Sequence, residues 1–369
     1  MSRPGDGLVH LPLEAEHERI GAHFTAFAGW WLPLHYGSDR GEHLATRSNA
    51  GLFDLTHMAE IIVSGDGAVA ALDLLLTADL QALPVGRARY CFLCNEAGGV
   101  VDDLVVYRLA PDRLLVVANA ANHEAVLQRV AGAAARVDAA VADDTGTSVL
   151  LALQGPAAAG VLGTLAGGVE GLPARFRVRE ARIGATAVLV SRTGYTGEDG
   201  FELFVRRDAA LELYRLIIEE GEGSVVPAGL AARDSLRLEA GLPLFGHELG
   251  EDISPYDAGL GRFVDLDKSV EFVGRAALEQ RASAVGTRAL VGLRAMPGPS
   301  PRAGDVVSDA TRSAVGVVTS GAPSPSLGVP IAMAFVAPEH AELGTELVVQ
   351  VREHAVSVLV VELPFYRRG

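Results

Sequence analysis

The chain has 369 residues, 49% of them hydrophobic and 21% charged, with a formal net charge of −15. That length holds two or three domains and a large core, and the composition is that of a chain that folds. Acidic residues are spread along the sequence without forming a tail, so a nucleic acid, whose backbone needs a basic surface, is excluded as the expected partner. The polar segment Met1 to Glu18 has no signal-peptide core and no run reaches bilayer length, so a cytoplasmic protein with no membrane partner is expected.

In chain order, the pattern predicts a short helix over Glu14 to Phe24, leading into the aromatic segment Phe27-Ala28-Gly29-Trp30-Trp31-Leu32-Pro33, which reads as a loop packed on a core. A helix from Ser38 to Asn49 follows, with Gly51 as its C-cap. One order of elements then occurs twice. Glu60 to Ser64 is a strand, Gly65-Asp66-Gly67 opens a helix to Leu76, strands follow at Tyr90 to Cys94, Val100 to Leu109 and Arg113 to Ala118, and a helix covers Asn122 to Ala131. Next, Ser148 to Gln154 is a strand, Gly155-Pro156 starts a helix, strands follow at Phe176 to Ile183, Ala187 to Ser191 and Phe201 to Val205, and a helix runs from an Asp208 N-cap to Glu220. Two β-α-β-β-β-α units, 58–132 and 148–222, predict an α+β fold of duplicated, ferredoxin-like modules with mostly antiparallel sheets.

Gly229 to Gly241 is a helix with Leu230, Leu236, Leu238 and Ala240 on its apolar side and Arg233, Asp234, Arg237 and Glu239 on its polar one. A turn at 271–274 leads into a short helix. Strands at Leu290 to Arg294, Val315 to Ser320, Ile331 to Val336, Glu346 to Val351 and Ser357 to Leu363, separated by Gly-, Pro- and Ser-rich turns, predict a small all-β barrel or sandwich. The domains expected are 1–282 and 287–369. Cys91 and Cys94 form a C-x-x-C inside a strand, where a redox pair would open a helix, so they read as buried thiols; two cysteines alone do not make a structural zinc site.

Four clusters carry candidate chemistry. In Asn95-Glu96-Ala97-Gly98-Gly99-Val100-Val101-Asp102-Asp103, two glycines supply the φ > 0 conformations of a turn, and adjacent carboxylates enter an apolar strand. Successive strand residues face opposite ways, so one Asp faces solvent or a loop and the other whatever the sheet covers. In Ser191 to Glu202, three glycines force a tight connection, Tyr195 offers a ring for stacking, and Glu202 is placed to accept paired N–H groups such as an aminopyrimidinone edge presents. A hairpin with exposed acids is the other reading of that segment. Arg233 is shaped to hold a carboxylate, although an i, i+4 pair with Arg237 also fits a solvated face. His57, in Asp54-Leu55-Thr56-His57-Met58, has no nucleophile to serve and reads as a structural, hydrogen-bonding histidine, with Met58 as adaptable apolar lining. Walker A, G-x-G-x-x-G, H-E-x-x-H and G-x-S-x-G sequences do not occur.

Taken in register, Phe27-Ala28-Gly29-Trp30, Gly51-Leu52-Phe53-Asp54, His57-Met58, Asn95 to Asp103, Ser191 to Glu202, Gly229 to Gly241, Thr319-Ser320-Gly321, Ser324 to Gly328 and Leu363-Pro364-Phe365 resemble the T-protein, or aminomethyltransferase, family of the glycine cleavage system. The resemblance implies folate-binding modules and a C-terminal β-barrel in a cloverleaf around a central channel. The activity it implies moves the methylene of an aminomethyl group on the lipoyl arm of H-protein to tetrahydrofolate and releases ammonia, with no metal or redox cofactor. By motif, Asp103 matches the family's catalytic aspartate, leaving Asp102 as a turn or edge residue. Met58, Tyr90, Asn119, Tyr195, Glu202 and Arg233 match folate-pocket positions. Ala59 stands where Gly is common and Phe245 where Tyr is frequent, which bears on the shape of the pocket. Two other readings stay open: a stand-alone folate-dependent demethylase of another methylated amine, and a non-transferase folate-binding factor for iron–sulfur assembly. The latter's Lys-Gly-Cys-Tyr-x-Gly-Gln-Glu motif is replaced here by Phe272-Val273-Gly274-Arg275.

Overall fold

The computed structural model describes residues 5–284 and 286–368. It opens with β1 (Val9–His10), α1 (Glu14–Arg19), β2 (His23–Phe27), β3 (Trp30–His35), α2 (Asp39–Ser48) and β4 (Ala50–Asp54). The first helix is shorter than its pattern predicts, because Gly21 takes φ +87° and ends it. Phe24 then enters a strand instead. The aromatic segment is a β2–β3 hairpin and not a loop: Ala28 and Gly29 both take positive φ, which lets Phe27 pair with Trp30. Ser38 caps α2 by accepting the Gly41 N–H at 3.0 Å. Gly51 does not cap that helix; it lies within β4, where a side chain would run into Thr46.

The first repeat is β5 (Ala59–Ser64), α3 (Ala68–Asp73), β6 (Ala88–Cys94), β7 (Val100–Ala110), β8 (Arg113–Ala118), α4 (His123–Ala134) and β9 (Ala140–Asp143). The second is β10 (Ser148–Gln154), α5 (Ala158–Leu165), β11 (Val178–Ile183), β12 (Thr186–Ser191), β13 (Gly200–Arg206) and α6 (Ala210–Glu220), followed by β14 (Val225–Pro227) and α7 (Leu230–Glu239). Their sheets run β6-β7-β8-β5-β9 and β11-β12-β13-β10-β4-β14. In each repeat the last strand lies beside the first, and that first strand carries a further strand on its other side, so the duplication is real at the level of topology. Two helix starts differ from expectation. Pro156 precedes α5 by a turn, and Asp208 does not cap α6 but accepts from Arg206 Nε at 3.1 Å. In the second repeat, Leu162, Leu213 and Ile217 from α5 and α6 share one buried cluster with Leu151, Leu153, Val190, Leu203 and Val205 of the sheet.

The chain ends with α8 (Arg275–Ser283) and the strands β15 (Ala289–Ala295), β16 (Val306–Ser308), β17 (Ala314–Pro323), β18 (Pro330–Val336), β19 (Glu346–Val351) and β20 (His354–Val361). These close into a barrel in the order β15-β18-β17-β16-β19-β20, with every pairing antiparallel. The sequence pattern misses β16, a three-residue strand whose pairing with β17 and β19 completes the ring. Closure removes the exposed edges that an open sheet would leave. Contacts divide the chain into two units, 1–73 with 80–90 and 104–234, and 74–79 with 91–103 and 235–369; three of the five divisions fall inside β6, β7 and α7.

The polar side of α7 is not solvated in its second half. Arg237 is buried, donating to Glu248 at 3.2 Å and to Ser320 Oγ at 2.9 Å. Glu239 is fully buried and accepts from Ser324 Oγ at 2.5 Å and from the Ser326 N–H and Oγ at 3.0 and 2.8 Å. Periodicity marks these positions polar; the barrel segment 319–326 covers them and supplies their partners. Cys91 and Cys94 are buried free thiols on β6, and burial pushes the Cys94 thiol up to about 12.

Glu60 on β5 is likewise buried. It accepts from Ser148 Oγ at 2.5 Å, linking the first strands of the two repeats, and burial, opposed by that hydrogen bond, raises its carboxyl from 4.5 to about 7. The folded state therefore binds this proton more tightly than the unfolded one. The resulting stability is fully present below pH 4.5 and lost as the pH rises to about 7. Glu60→Gln is expected to remove that slope, a difference of about 3 kcal/mol across the window. Denaturant unfolding of both proteins at acid and neutral pH checks it, and parallel pH profiles would refute the assignment.

Candidate active site

The turn before β7 is built by Asn95. Its Oδ1 accepts the Ala97 and Gly99 N–H groups at 3.0 and 2.9 Å, and Gly98 alone takes the left-handed conformation, at φ +79°. Gly99 is required for space, since a Cβ there would fall 1.8 Å from the Glu251 carbonyl oxygen. On β7, alternation puts Asp103 on the face shared by Val105 and Tyr107, and Asp102 on the other. Asp103 is half-buried. Asp102 is not the turn or edge residue expected. It is fully buried, on the opposite face of the interior strand β7 from the half-buried Asp103.

The connection from β12 to β13 is a braced loop. Gln154 at the end of β10 donates to the Thr193 carbonyl at 3.1 Å and accepts from Thr196 Oγ1 at 3.0 Å. Gly194 and Gly200 pass so close to Gln154 that neither has room for a Cβ. Arg47 donates to the Thr196 carbonyl at 2.7 Å and to Glu198 at 2.9 Å, and Arg192 Nε donates to Asp199 at 3.0 Å. The loop acids are thus paired with arginines. Held this way, Tyr195 presents its ring to Arg233, whose guanidinium carbon stands 4.7 Å from the ring centroid. Glu202, on β13 opposite Ser191 and Ala152, accepts from the Tyr107 hydroxyl at 3.0 Å and from Thr193 Oγ1.

Arg233 also lines a small pocket with Tyr36, Asp54, His57 and Gly229. Asp54 accepts from His17 Nε2 at 2.9 Å and from Thr56 N–H and Oγ1 at 3.0 and 2.5 Å. Burial opposes ionisation of Asp54, but these donors outweigh it and hold the carboxyl below its usual range. Glu42 ties the pocket rim by accepting the Tyr36 and Gly229 N–H groups at 2.6 and 2.9 Å, while burial raises its carboxyl. His57 is buried edge-on to Phe27, and its Nδ1 has no hydrogen-bond partner among the described residues, contrary to the structural hydrogen bonding expected of it. Burial first, then the Arg233 charge, lower the His57 imidazole to about 3, against the pull of Asp54.

Of the other expected site residues, Met58 is half-buried in the turn between β4 and β5, Tyr90 half-buried on β6, and Asn119 half-buried just after β8. The structure brings Tyr195 to Arg233 directly, and it adds Tyr107 and Thr193 to Glu202. Sequence reasoning names neither addition as a site residue. Tyr107 looks like one more apolar strand position, and only the pairing of sheets reveals that its hydroxyl meets a carboxylate. Among the described residues no His, Cys, Asp and Glu group is placed to hold a metal ion, and no helix is long and apolar enough to cross a membrane.

Comparison with known proteins gives the arrangement a context. Residues 13–268 match the GCVT N-terminal domain, and residues 288–367 match the glycine cleavage T-protein C-terminal barrel domain. The aminomethyltransferase of Saccharopolyspora erythraea is 50% identical over 359 residues, covering 97% of this chain and 98% of the relative. That of Cutibacterium acnes is 49% identical over 370 residues, covering 98% and 99%. The crystal structure of glycine cleavage system aminomethyltransferase T from Bartonella henselae matches with a TM-score of 0.90 at 40% identity, over 97% of this chain and 98% of that one. Fold and relatives together define an enzyme of the transferase class, an aminomethyltransferase. The chain belongs to the glycine cleavage T-protein family.

The low imidazole value predicts that His57 stays neutral through the physiological range. Its ring NMR shifts are expected to be flat from about pH 5 to pH 8, where exposed histidines titrate. Arg233→Gln removes the second cause of that depression and is expected to move the midpoint upward. A His57 titration near the ordinary 6.5 in the unaltered protein would contradict the buried placement.

Proposed function

We propose that this chain is the tetrahydrofolate-dependent aminomethyltransferase of glycine cleavage, acting in the cytoplasm on the aminomethyl group that a lipoylated H-protein carries. The observation that carries the reading is the Glu202 carboxylate, set by two hydroxyls at the end of the braced loop whose Tyr195 ring is in contact with Arg233. A flat ring, a fixed carboxylate and a guanidinium match what a pterin with an acidic tail requires: a stacking face, an acceptor for adjacent N–H groups, and a cation. In this reading Met58, Tyr90, Asn119, Tyr195, Glu202 and Arg233 bind folate and Asp103 is the catalytic group. Residues 1–282 form the folate-binding catalytic region and 287–369 the barrel domain.

The chemistry needs little beyond positioning and one anionic group. The carbon to be moved is bonded to sulfur and to an amine. Loss of ammonia leaves it with cationic character, folate N5 attacks it, and N10 closes the ring as the carbon–sulfur bond breaks. The two folate N–H protons end on the ammonia and on the released thiol, so the transfer balances without an oxidant. A carboxylate near N5 and N10 stabilises the developing positive charge, orients the nucleophile and relays a proton. That is the role assigned to Asp103.

Mixing the protein with tetrahydrofolate and aminomethylated H-protein should yield methylene-tetrahydrofolate and ammonia in equal amounts. Ammonia without the folate product, or turnover of a free methylated amine in place of H-protein, would sink the proposal. Asp103→Asn keeps the shape and removes the charge, and it is expected to lower turnover by about a hundredfold or more while tetrahydrofolate still binds. Turnover near that of the unaltered enzyme would remove Asp103 from the mechanism.

A further inference from the structure

Glu202 has two carboxylate oxygens, and the structure treats them differently. Oε2 receives the Tyr107 hydroxyl at 3.0 Å and the Thr193 hydroxyl, whereas among the described residues Oε1 receives no donor. The proton count supports this division. Thr193 has one proton and two acceptors within reach, Ser191 Oγ at 2.9 Å and Glu202 Oε2, of which the charged carboxylate is the stronger, and Tyr107 contributes a proton of its own. Two charge-assisted bonds on one oxygen fix the plane of the carboxylate and leave the other oxygen as an acceptor with its direction set.

Tyr107 is well placed to do this. It lies in β7 opposite Leu115 of β8, is fully buried, and its ring meets Phe204 of β13 edge-on with centroids 5.5 Å apart. Packing therefore sets the ring independently of the hydroxyl's partner. Burial, and then the neighbouring Glu202 charge, push the phenol well above its usual value, so it stays protonated and remains a donor at every working pH. The hydroxyl reaches Glu202 across two sheets, which is why no local motif contains the pair.

We infer that Tyr107 is a positioning residue for folate recognition: it clamps Glu202 Oε2 so that Oε1 is the oxygen that accepts the N–H of the pterin. The inference rests on the reading of Glu202 as a folate-binding residue and assigns to Tyr107 and Thr193 the work of presenting it. It separates Tyr107, which acts through a carboxylate, from Tyr195, which offers its ring to the ligand.

Anaerobic calorimetry with tetrahydrofolate on Tyr107→Phe, Thr193→Val, Glu202→Gln and the double variant Tyr107→Phe/Glu202→Gln tests it. Tyr107→Phe keeps the ring and its packing, and it is expected to weaken tetrahydrofolate roughly tenfold. The KM for tetrahydrofolate should rise by the same factor, with kcat at saturation held within about twofold. In the Glu202→Gln background the same change should add less than about twofold, because its target charge is gone. A full tenfold loss in that background, or unchanged affinity in Tyr107→Phe while Glu202→Gln binds weakly, overturns the inference and leaves the folate reading standing. Unchanged affinity in Glu202→Gln overturns the folate reading of Glu202 and the inference with it. Should Tyr107→Phe fail to fold, Thr193→Val reads out the same oxygen by the same criteria.

Discussion

The architecture depends on giving donors to carboxylates that have left water. An ionised carboxylate in an apolar interior is costly unless hydrogen bonds or a cation replace its hydration, and breaking one such arrangement strands a charge. This chain buries several acidic side chains, and four of them join one segment to another. Glu42 joins the Tyr36 and Gly229 backbones, Glu60 joins β5 to the start of β10, and Glu239 and Glu248 bind α7 to its surroundings through Ser324, Ser326 and Arg237. Apolar clusters supply most of the driving force for folding, but they are tolerant of sliding. The carboxylates have fixed numbers of acceptor sites and so fix register.

The same constraint shapes the site. Asp54 is kept ionised by His17 and Thr56 in a pocket where His57 is kept neutral, so acid and base functions are separated by environment and not by residue type. Glu202 follows the rule with a difference: its donors occupy one oxygen only. Glu239, by contrast, has both oxygens engaged by the serines around it. In the proposed reading, the unsaturated oxygen of Glu202 is the acceptor left for a ligand. The loop before Glu202 is braced in the same way, by the hydrogen bonds of Gln154 to Thr193 and Thr196.

Local signals carry far in this chain. Arg113–Ala118, Ser148–Gln154 and Glu346–Val351 have the limits their pattern predicts, since short apolar runs bounded by turn residues specify strands on their own. The misses have physical causes. Helix α1 and the β2–β3 hairpin are separated by one glycine conformation, and β16 is too short to show a period. Asp208 has the composition of a cap, yet its neighbour Arg206 takes the carboxylate first.

The amino-acid sequence by itself determined the order of elements, the duplication, the C-terminal β-rich domain and the family, because these depend on periodicity, turn chemistry and residue spacing within short stretches. It also singled out the Asp102-Asp103 pair, Tyr195, Glu202 and Arg233, which stand in segments whose composition departs from what a strand or helix needs, and the family resemblance chose Asp103 within the pair. Tertiary structure alone decided which polar residues are buried and what they meet. Asp102, Arg237 and Glu239 look like surface residues until an interior strand position or the barrel segment encloses them, and Tyr107 looks like core until a second sheet brings Glu202 to its hydroxyl. A side chain's neighbours along the chain set its conformation. Its neighbours in space set its charge, its partners and its use.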